Sequence, residues 1–323
     1  MRTRGKEVKR VSSSVTAILT ADWHIRPTVP VCRTDDFLAA MWRKVEFILD
    51  LSIDKQCPIL VAGDLGLKSQ WPNWLLEEFI RRVNERKAFI YAIPGQHDLP
   101  NHRLEEWRQA AIGVLNEAGT VEILGVHGEC QGFISGLGIK NSVVAFPYGV
   151  DIRKIDDVKE GVNIALAHTL VTEKEPESFL IGKAENSARS ALFLLKEFPE
   201  YDLILTGDNH KPFVVDHEGR LLVNPGSLMR TTADQADHKP RVYFWYAQEN
   251  RAEPIFLPIE ENVIDRSHID MAEAKDERIE AYVSRLSEEL EIGLDFQGNL
   301  ETYFRSNRTR KGVQDKVWGS MPK

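Results

Sequence analysis

The stretch VTAILTADWH, residues 15–24, decides the fold of this chain. Its first seven residues are mostly apolar, as in a strand buried on both faces, and they lead into an Asp-Trp-His step. Two runs of the same kind follow, PILVAG at 58–63 and AFIYAIPG at 88–95. Amphipathic stretches at 36–53 and 74–86 carry apolar residues at helical spacing and separate the three runs. This alternation predicts parallel strands joined by helices, and therefore an α/β protein.

The second half of the chain changes character, because closely spaced strand candidates with Gly-containing connections replace the helices. The further elements that these patterns predict are a helix over 104–119, strands within 121–149, strands at 163–168 and 202–207 with a helix at 187–198 between them, a hairpin over 213–224, and strands at 241–247 and 254–259. Two sheets that share one core are the most economical architecture for so many short strands.

A soft domain boundary is expected near residue 265. Residues 1–265 would form the main domain, and 266–323 a small helical C-terminal extension. The extension contains a charged amphipathic stretch at 271–292, which could dock a partner or pack on the main domain, and a basic tail that includes RSNRTRKGVQDK.

The composition bounds the class of protein. The chain has 323 residues, 42% of them hydrophobic, which excludes a wholly disordered protein. Since the net charge is −8 and residues 1–10 and 301–323 contribute +4 each, residues 11–300 carry −16. An acidic body of this kind excludes a simple polycationic DNA-coating protein. An anionic substrate would need another source of positive charge.

The remaining composition signals favour a cytoplasmic protein. Three widely spaced cysteines form no CxxC pair, which argues against a zinc ribbon or a disulfide framework and favours a reducing compartment. No apolar run reaches the ~18 residues that a membrane span needs, and no long apolar stretch follows the basic N-terminus.

Side chains that can bind metals follow five of the predicted strands. They are Asp22 and His24, Asp64, Gln96 with His97 and Asp98, His168, and Asp208 with His210. Each motif alone is weak, because Gly-Asp steps are common in turns and a lone histidine is often a core residue. In an open α/β sheet, however, ligands bind at the carboxyl ends of the strands, so these side chains are expected at one edge.

The residue types point to a pair of divalent metals. Mixed carboxylate and imidazole ligands suit Mn²⁺, Fe²⁺ or Zn²⁺ rather than Ca²⁺. Two such metals can activate water and clamp phosphoryl oxygens in an in-line displacement. We expect Asp22 and His24 to lie on one side of an extended strand end, since strand side chains alternate with period two. Glycines before Asp64, Gln96 and Asp208 would allow sharp turns there.

The order Asp-x-His, Gly-Asp, Gly-Gln-His-Asp, His and Gly-Asp-Asn-His, with Asn-Pro-Gly-Ser at 224–227, resembles that of the calcineurin-like metallophosphoesterases. The resemblance spans about residues 15–245, and it implies a two-sheet metallophosphoesterase sandwich flanked by helices. Within this superfamily, the chain looks most like the SbcD-type DNA-repair nuclease subunits of bacteria and their phage counterparts. This narrower resemblance rests on the motifs GQHD, GDNHKPF and NPGSLMR.

The resemblance also implies roles for individual residues. Asp22, His24 and His210 would bind the first metal, Asp64 would bridge, and Gln96, His168 and Asp208 would bind the second. His97 would act as general acid or phosphate contact, with Asp98 orienting its imidazole.

Two positions depart from the family pattern, and both fall on the second metal. Gln96 stands where the family usually has Asn, and Asp208 where it has the first His of the last motif. Because both offer oxygen donors, we expect a harder second site that favours Mn²⁺ over zinc. A second site too weak to fill is the alternative.

The predicted function is a two-metal phosphodiesterase that cleaves DNA, as exonuclease or endonuclease, through metal-activated water. By resemblance it would be a homodimer and would work with an SbcC-like coiled-coil ATPase. Alternatives are a phosphodiesterase or phosphatase for a small phosphoester or phosphoprotein, and a non-catalytic scaffold on the same fold.

Other candidate residues have weaker support. Arg230 could contact substrate phosphate, although a surface arginine is as frequent. Trp23 is expected to point into the fold. His102, His127, His217, His238 and His268 lack a partner at ligand spacing and are expected to be surface or core histidines.

Overall fold

The computed structural model describes residues 14–126, 131–155, 160–174, 189–265, 267 and 296–320. The chain divides into two compact units, Met1–Asp265 and Arg266–Lys323. The predicted helix at 271–292 and the basic residues 1–10 lie outside the described residues.

The first unit contains short strands and four α-helices within its described residues. The strands are β1 (Ala17–Thr20), β2 (Ile59–Val61), β3 (Ile90–Ala92), β4 (Glu122–Ile123), β5 (Gln131–Gly132), β6 (Asn141–Phe146), β7 (Val162–His168), β8 (Val171–Thr172), β9 (Arg189–Ser190), β10 (Leu203–Gly207), β11 (Phe213–His217), β12 (Arg220–Asn224), β13 (Arg241–Tyr246) and β14 (Arg251–Phe256). The helices are α1 (Phe37–Lys55), α2 (Asn73–Arg86), α3 (Ala111–Glu117) and α4 (Ala191–Glu197).

The first unit is built around two six-stranded β-sheets. The first has the order β14-β13-β1-β2-β3-β4 and the second β11-β12-β10-β7-β6-β5. Strands β1 to β4 run parallel, as do β6, β7, β10 and β12. The outer strands β13, β14, β11 and β5 pair antiparallel. Strands β8 and β9 form a separate two-stranded sheet.

The apolar core lies in three layers. Between the sheets, Leu19 and Leu60 of the first sheet belong to one buried cluster with Leu166 and Leu205 of the second. The outer face of the first sheet packs against α1, α2 and α3, and that of the second against α4. The predicted α/β sandwich flanked by helices is therefore confirmed.

Helix α1 shows how local sequence sets these boundaries. The carboxylate of Asp36 accepts a hydrogen bond from the Ala39 amide at 3.0 Å, which caps the N-terminus. The last helical residue is Lys55, and the capping residue Gln56 that follows it has a left-handed φ of 53°. Between these caps its apolar stripe lies against the first sheet.

The prediction of one helix over 104–119 was wrong. Residues Leu104–Gln109 form a 3-10 helix, and α3 follows from Ala111. Ala110 interrupts them with extended backbone, φ −98° and ψ 170°. The Ala111 amide donates to the Ser69 carbonyl oxygen at 2.7 Å, so it does not make the intrahelical hydrogen bond that a continuous α-helix requires.

The second unit has two helices among its described residues, α5 (Phe296–Ser306) and α6 (Lys311–Gly319). The rings of Phe304 and Trp318 meet edge to face at 5.9 Å and join the two helices. Within the described parts of the chain, we find no helix with the length and apolarity that crossing a membrane requires.

Candidate metal centre

The predicted ligand residues come together at one edge of the sandwich. Each follows or ends a parallel strand, at the carboxyl end that the sequence pattern indicated. Asp22 and His24 follow β1, Asp64 follows β2, Gln96 and His97 follow β3, His168 ends β7, and Asp208 and His210 follow β10. Both sheets therefore contribute to one site.

Asp64 lies at the middle of this group and is fully buried. Its Oδ1 accepts a hydrogen bond from the His97 amide at 2.9 Å. Its Oδ2 has no hydrogen-bond partner among the described residues. Three imidazole nitrogens face that oxygen, since the Nε2 atoms of His24 and His97 lie 3.9 Å away and that of His168 lies 3.5 Å away. One cation beside Oδ2 would contact several of these ligands at once.

A second convergence joins Asp22, His24 and His210, whose ligand atoms lie within 4.8 Å of one another. The Nε2 atoms of the two histidines are 3.1 Å apart. Asp22 Oδ1 accepts from the Asp208 amide at 3.2 Å, while its Oδ2 is buried without a partner in the described structure.

The burial of these groups fits divalent cations. A buried oxygen or nitrogen without a hydrogen-bond partner is costly. Among the described residues, such atoms occur on Asp22, His24 and Asp64, which all belong to the converging groups of candidate ligands. Burial raises the pKa of Asp22 to about 8 and lowers the pKa of His24 to about 3. The protein alone thus disfavours the anionic carboxylate that a divalent cation would stabilise.

His168 Nε2 and Gln96 Oε1 lie close together, and in a neutral imidazole that carries its proton on Nδ1 both atoms are acceptors. The Ala62 carbonyl oxygen lies 2.7 Å from His168 Nδ1, so that nitrogen carries the proton and Nε2 is left as an acceptor. Gln96 Oε1, also an acceptor, lies 2.6 Å from Nε2. Burial lowers the pKa of His168, but Asp64 outweighs burial and raises it to about 10. A proton here, or a metal, relieves the contact between the two acceptors.

Asp208 lies beside Gln96, the other predicted oxygen ligand of the second metal. Its Oδ1 accepts a hydrogen bond from Gln96 Nε2 at 2.7 Å. Among the described residues it belongs to none of the groups whose carboxylate, imidazole or thiol atoms converge within 4.8 Å. The contacts favour a role in holding Gln96.

His97 is accessible to solvent, with 40% of its side chain exposed. Its ring meets that of His24 edge to face at 5.1 Å. The position suits a group that transfers a proton to a substrate above the metal ligands.

Asp98 does not make the predicted contact with His97 among the hydrogen bonds of the described residues. Its buried carboxylate instead accepts from the amides of Leu65 at 3.2 Å, Gly66 at 2.9 Å and Gly95 at 3.0 Å. Burial raises its pKa to about 7. Asp98 thus ties the loop after β3 to the loop after β2, which carries Asp64.

The backbone of the site differs from the extended strand ends that were predicted. Strand β1 ends at Thr20, and φ is 50° at Asp22 and 47° at His24. Asp64 and Asp208 are left-handed as well, with φ of 52° and 77°. Non-glycine residues in this region cluster at functional sites, where the surrounding structure holds them.

Two glycines make room for the ligands. A Cβ at Gly95 would overlap Asp64 Oδ1, and a Cβ at Gly63, whose φ is 88°, would overlap the His168 ring. At the third predicted position, Gly207, a Cβ would overlap the Ala62 carbonyl oxygen. Close approach therefore requires glycine at all three positions, and a left-handed turn requires it at Gly63 alone.

Sequence reasoning did not anticipate several supporting contacts. Asn224 is fully buried, and its Nδ2 donates to the carbonyl oxygens of Asn209 at 2.5 Å and Lys211 at 2.9 Å. It fixes the loop that carries His210, and the Asn-Pro-Gly-Ser motif was its only signal. The Ala62 carbonyl that orients His168 had none.

The structure also shows where Trp23 and three of the remaining histidines lie. Trp23 is fully buried and donates to Thr20 Oγ1, which confirms its inward direction. His102 is exposed, with Nδ1 3.0 Å from the Gln96 carbonyl oxygen. His238 is half-buried, with Nε2 2.9 Å from the Ser227 carbonyl oxygen. His217 is half-buried on β11, while His127 and His268 lie outside the described residues.

Arg230 is buried rather than displayed. Its guanidinium donates to the carbonyl oxygens of Ala236 at 3.1 Å and Glu260 at 2.6 Å. These contacts favour a structural position, and substrate binding by Arg230 stays a prediction.

No curated protein matches the sequence significantly. Among solved structures, an archaeal phosphodiesterase is 15% identical with a TM-score of 0.39, and the match covers 75% of this chain and 99% of the other. A protein of Staphylococcus aureus assigned as a 5′-nucleotidase is 15% identical with a TM-score of 0.43, covering 77% of this chain and only 54% of its own length. The family of calcineurin-like phosphoesterases matches residues 15–212. That match covers more than half of the chain, which therefore belongs to the calcineurin-like phosphoesterase family and is a metallophosphoesterase hydrolase.

Proposed function

We propose that this metallophosphoesterase is a two-metal phosphodiesterase that cleaves DNA. The observation that carries the hydrolytic part is the partnerless Asp64 Oδ2, which three imidazoles face from different strands. When bound at such a site, two divalent metals activate water and neutralise charge on phosphoryl oxygens.

The residues present would suit two divalent metals, with Asp64 available to both groups of ligands. In this proposal Asp22, His24 and His210 hold the first, and His168 and Gln96 hold the second. Asp208 completes the second site, either as a ligand or through its hydrogen bond to Gln96. Carboxylate and amide oxygens make that second site hard, which favours Mn²⁺ over Zn²⁺.

His97 supplies the proton in this mechanism. Its imidazole is partly exposed beside the buried Asp64, and its backbone amide donates to Asp64 Oδ1. Nε2 can therefore donate to the leaving oxygen of a phosphodiester while the ring stays fixed. Asp98 acts at a distance, by holding the loops at residues 65–66 and 95 together.

DNA is the proposed substrate for two reasons of sequence. The motifs GQHD, GDNHKPF and NPGSLMR resemble those of SbcD-type nuclease subunits, and a basic segment at 301–323 carries six basic and two acidic residues. Such a segment can hold a phosphate backbone in a salt-dependent way. By the same resemblance we propose a cytoplasmic homodimer with an SbcC-like coiled-coil ATPase partner.

The experiment compares DNA with a small diester. Wild type, His97→Ala and a control, His217→Ala, are incubated in Mn²⁺ with labelled single- and double-stranded DNA and with bis-p-nitrophenyl phosphate. His217 is a matched control because it lies at the end of β11 that pairs with the start of β12, away from the carboxyl ends that form the site.

The expected result is DNA cleavage by wild type and His217→Ala, reduced by roughly 10²–10⁴-fold in His97→Ala. Cleavage of the small diester alone would redirect the proposal to a small phosphoester. Bound metal without cleavage of either substrate would indicate a scaffold. The same assay is repeated with Zn²⁺ in place of Mn²⁺. Cleavage that is maximal with Zn²⁺ and absent with Mn²⁺ would overturn the assignment of the metal.

A further inference from the structure

A lysine outside the metal centre is buried without an ion-pair partner among the described residues. Lys44 lies on α1 with 3% of its surface exposed. In the described structure its ammonium makes one hydrogen bond, to Met229 Sδ at 3.4 Å. A thioether is a weak acceptor, and lysines are almost never fully buried unless they are paired.

The carboxylates near Lys44 are already engaged by arginines. Arg33 binds Asp35 with both ends of its guanidinium, at 2.7 and 2.5 Å. Arg43 pairs with Glu260 at 2.8 Å on the exposed side. Each carboxylate therefore offsets one arginine, and neither is left for the ammonium of Lys44.

Arg230 adds a further positive charge to the same place. Its buried guanidinium is held by main-chain carbonyl oxygens and has no carboxylate partner among the described residues. Arg33 donates to the carbonyl oxygen of Arg230 at 3.0 Å, which joins the two arginines. Among the residues that the structure describes, four cationic side chains thus share two carboxylates, which leaves the charges of Lys44 and Arg230 unpaired.

These cations line a cavity of about 30 Å³, together with Ala40 and residues 258–260. A single water needs roughly 10–15 Å³, so the cavity can take something larger than one water. Water would satisfy the donors of Lys44 but would leave the buried charges uncompensated, which is the costly part of their burial.

We propose that this space, the Lys44 cavity, binds a small tetrahedral oxyanion of the phosphate class. A phosphate carries between one and two negative charges at neutral pH and offers several acceptor oxygens, which matches two unpaired cations and the ammonium donors. None of its lining residues is a predicted ligand of the metal centre.

The Lys44 cavity is nevertheless connected to the metal centre through the chain. Arg230 and Met229 follow the turn at 224–227, and the amide of Leu228 donates to the carbonyl oxygen of Asp22 at 3.1 Å. Occupation of the cavity would therefore order a segment that also supports the loop of Asp22 and His24.

Thermal unfolding of the full chain tests this proposal. Wild type, Lys44→Met and the exposed control Lys196→Met are stripped of metal with a chelator and titrated with inorganic phosphate at constant ionic strength. We expect a saturable rise of several degrees in Tm for wild type and Lys196→Met, and no rise for Lys44→Met. An equal rise in all three proteins, or no rise in any, overturns the proposal.

A second measurement does not depend on the folding of a variant. Wild-type crystals grown without oxyanions and then soaked in sulfate should show tetrahedral density within hydrogen-bonding distance of Lys44 Nζ. A soak that leaves the cavity without such density contradicts the proposal.

Two further probes identify the source of the oxyanion. Adenosine 5′-monophosphate and adenosine are titrated beside phosphate under the same metal-free conditions. Stabilisation by phosphate alone supports a site for the free anion, and Lys44-dependent stabilisation by the monophosphate as well supports a terminal phosphate. Lys44-dependent stabilisation by adenosine would contradict an oxyanion site.

Discussion

Gln96 and Asp208, the two positions that depart from the family pattern, are hydrogen-bonded to each other, with Gln96 Nε2 donating to Asp208 Oδ1 at 2.7 Å. This contact turns the other end of the amide, Oε1, toward His168 Nε2 at 2.6 Å. The longer side chain at 96 is thus oriented by an acceptor at 208. The two departures therefore form a pair that directs an amide oxygen toward His168.

Replacement of Asp208 separates a positioning role from a ligand role. If Asp208 positions Gln96, Asp208→Asn keeps an acceptor oxygen and is expected to retain most activity on bis-p-nitrophenyl phosphate. Asp208→Ala is expected to lose roughly 10–100-fold in activity and in Mn²⁺ affinity. Calorimetric titration with Mn²⁺ beside the rate measurement checks both. Equal losses in the two variants would show that the charge of Asp208 acts on the metal directly.

Gly95→Ala is expected to abolish metal binding at the shared carboxylate. The added Cβ would overlap Asp64 Oδ1, so either the carboxylate or the loop after β3 must move. Gly132→Ala is the control, because a Cβ there meets no atom within 4 Å. The bound Mn²⁺ per chain should fall in Gly95→Ala and stay at the wild-type value in Gly132→Ala. Full metal occupancy in Gly95→Ala would show that the loop adapts freely.

Much of this architecture follows from patterns that are local in sequence. Buried strands such as β2 and helices such as α1 have strong periodicity, and the carboxyl ends of parallel strands meet at one edge by topology. The approximate place of Asp64 and His168 could therefore be predicted.

The predicted partner of Asp98 and the predicted extended backbone at Asp22 and His24 were wrong because both depend on contacts between residues distant in sequence. Asp98 follows His97 directly, but its carboxylate is used by amides 32 and 33 residues away. The left-handed backbone at Asp22 and His24 is set by the neighbouring loop, since the His24 amide donates to the Asp64 carbonyl oxygen at 3.0 Å. Neither spacing nor propensity along the chain encodes such partners.

Asn224→Ala is expected to weaken the loop that carries His210. The change leaves the Asn209 and Lys211 carbonyl oxygens without their donor and should lower the free energy of unfolding by roughly 1–3 kcal/mol. Urea denaturation of the metal-free protein measures this loss, and the rate on bis-p-nitrophenyl phosphate should fall with it.

Thr206→Val is the matched control for that change. Thr206 donates one hydrogen bond, to Asn224 Oδ1 at 3.1 Å, and valine keeps its shape. We expect a smaller loss, about 1 kcal/mol, with near-normal activity. If Thr206→Val lost less stability than Asn224→Ala but were equally inactive, the rate would depend on the Thr206–Asn224 contact rather than on the two hydrogen bonds to the His210 loop.

Lys44 should give the metal-free protein a measurable pH dependence. Burial, reinforced by Arg33 and Arg230, lowers the pKa of Lys44 from 10.5 to about 8, while Asp35 opposes the shift and Arg43 adds to it. Because the unfolded chain then binds more protons between pH 8 and 10.5, the stability of wild type should rise across that window relative to Lys44→Met, by on the order of 3 kcal/mol when complete. Urea unfolding of both proteins from pH 7 to 10, in phosphate-free buffer, measures the difference. A difference that stays constant over this range would mean that Lys44 keeps its ordinary pKa in the folded state.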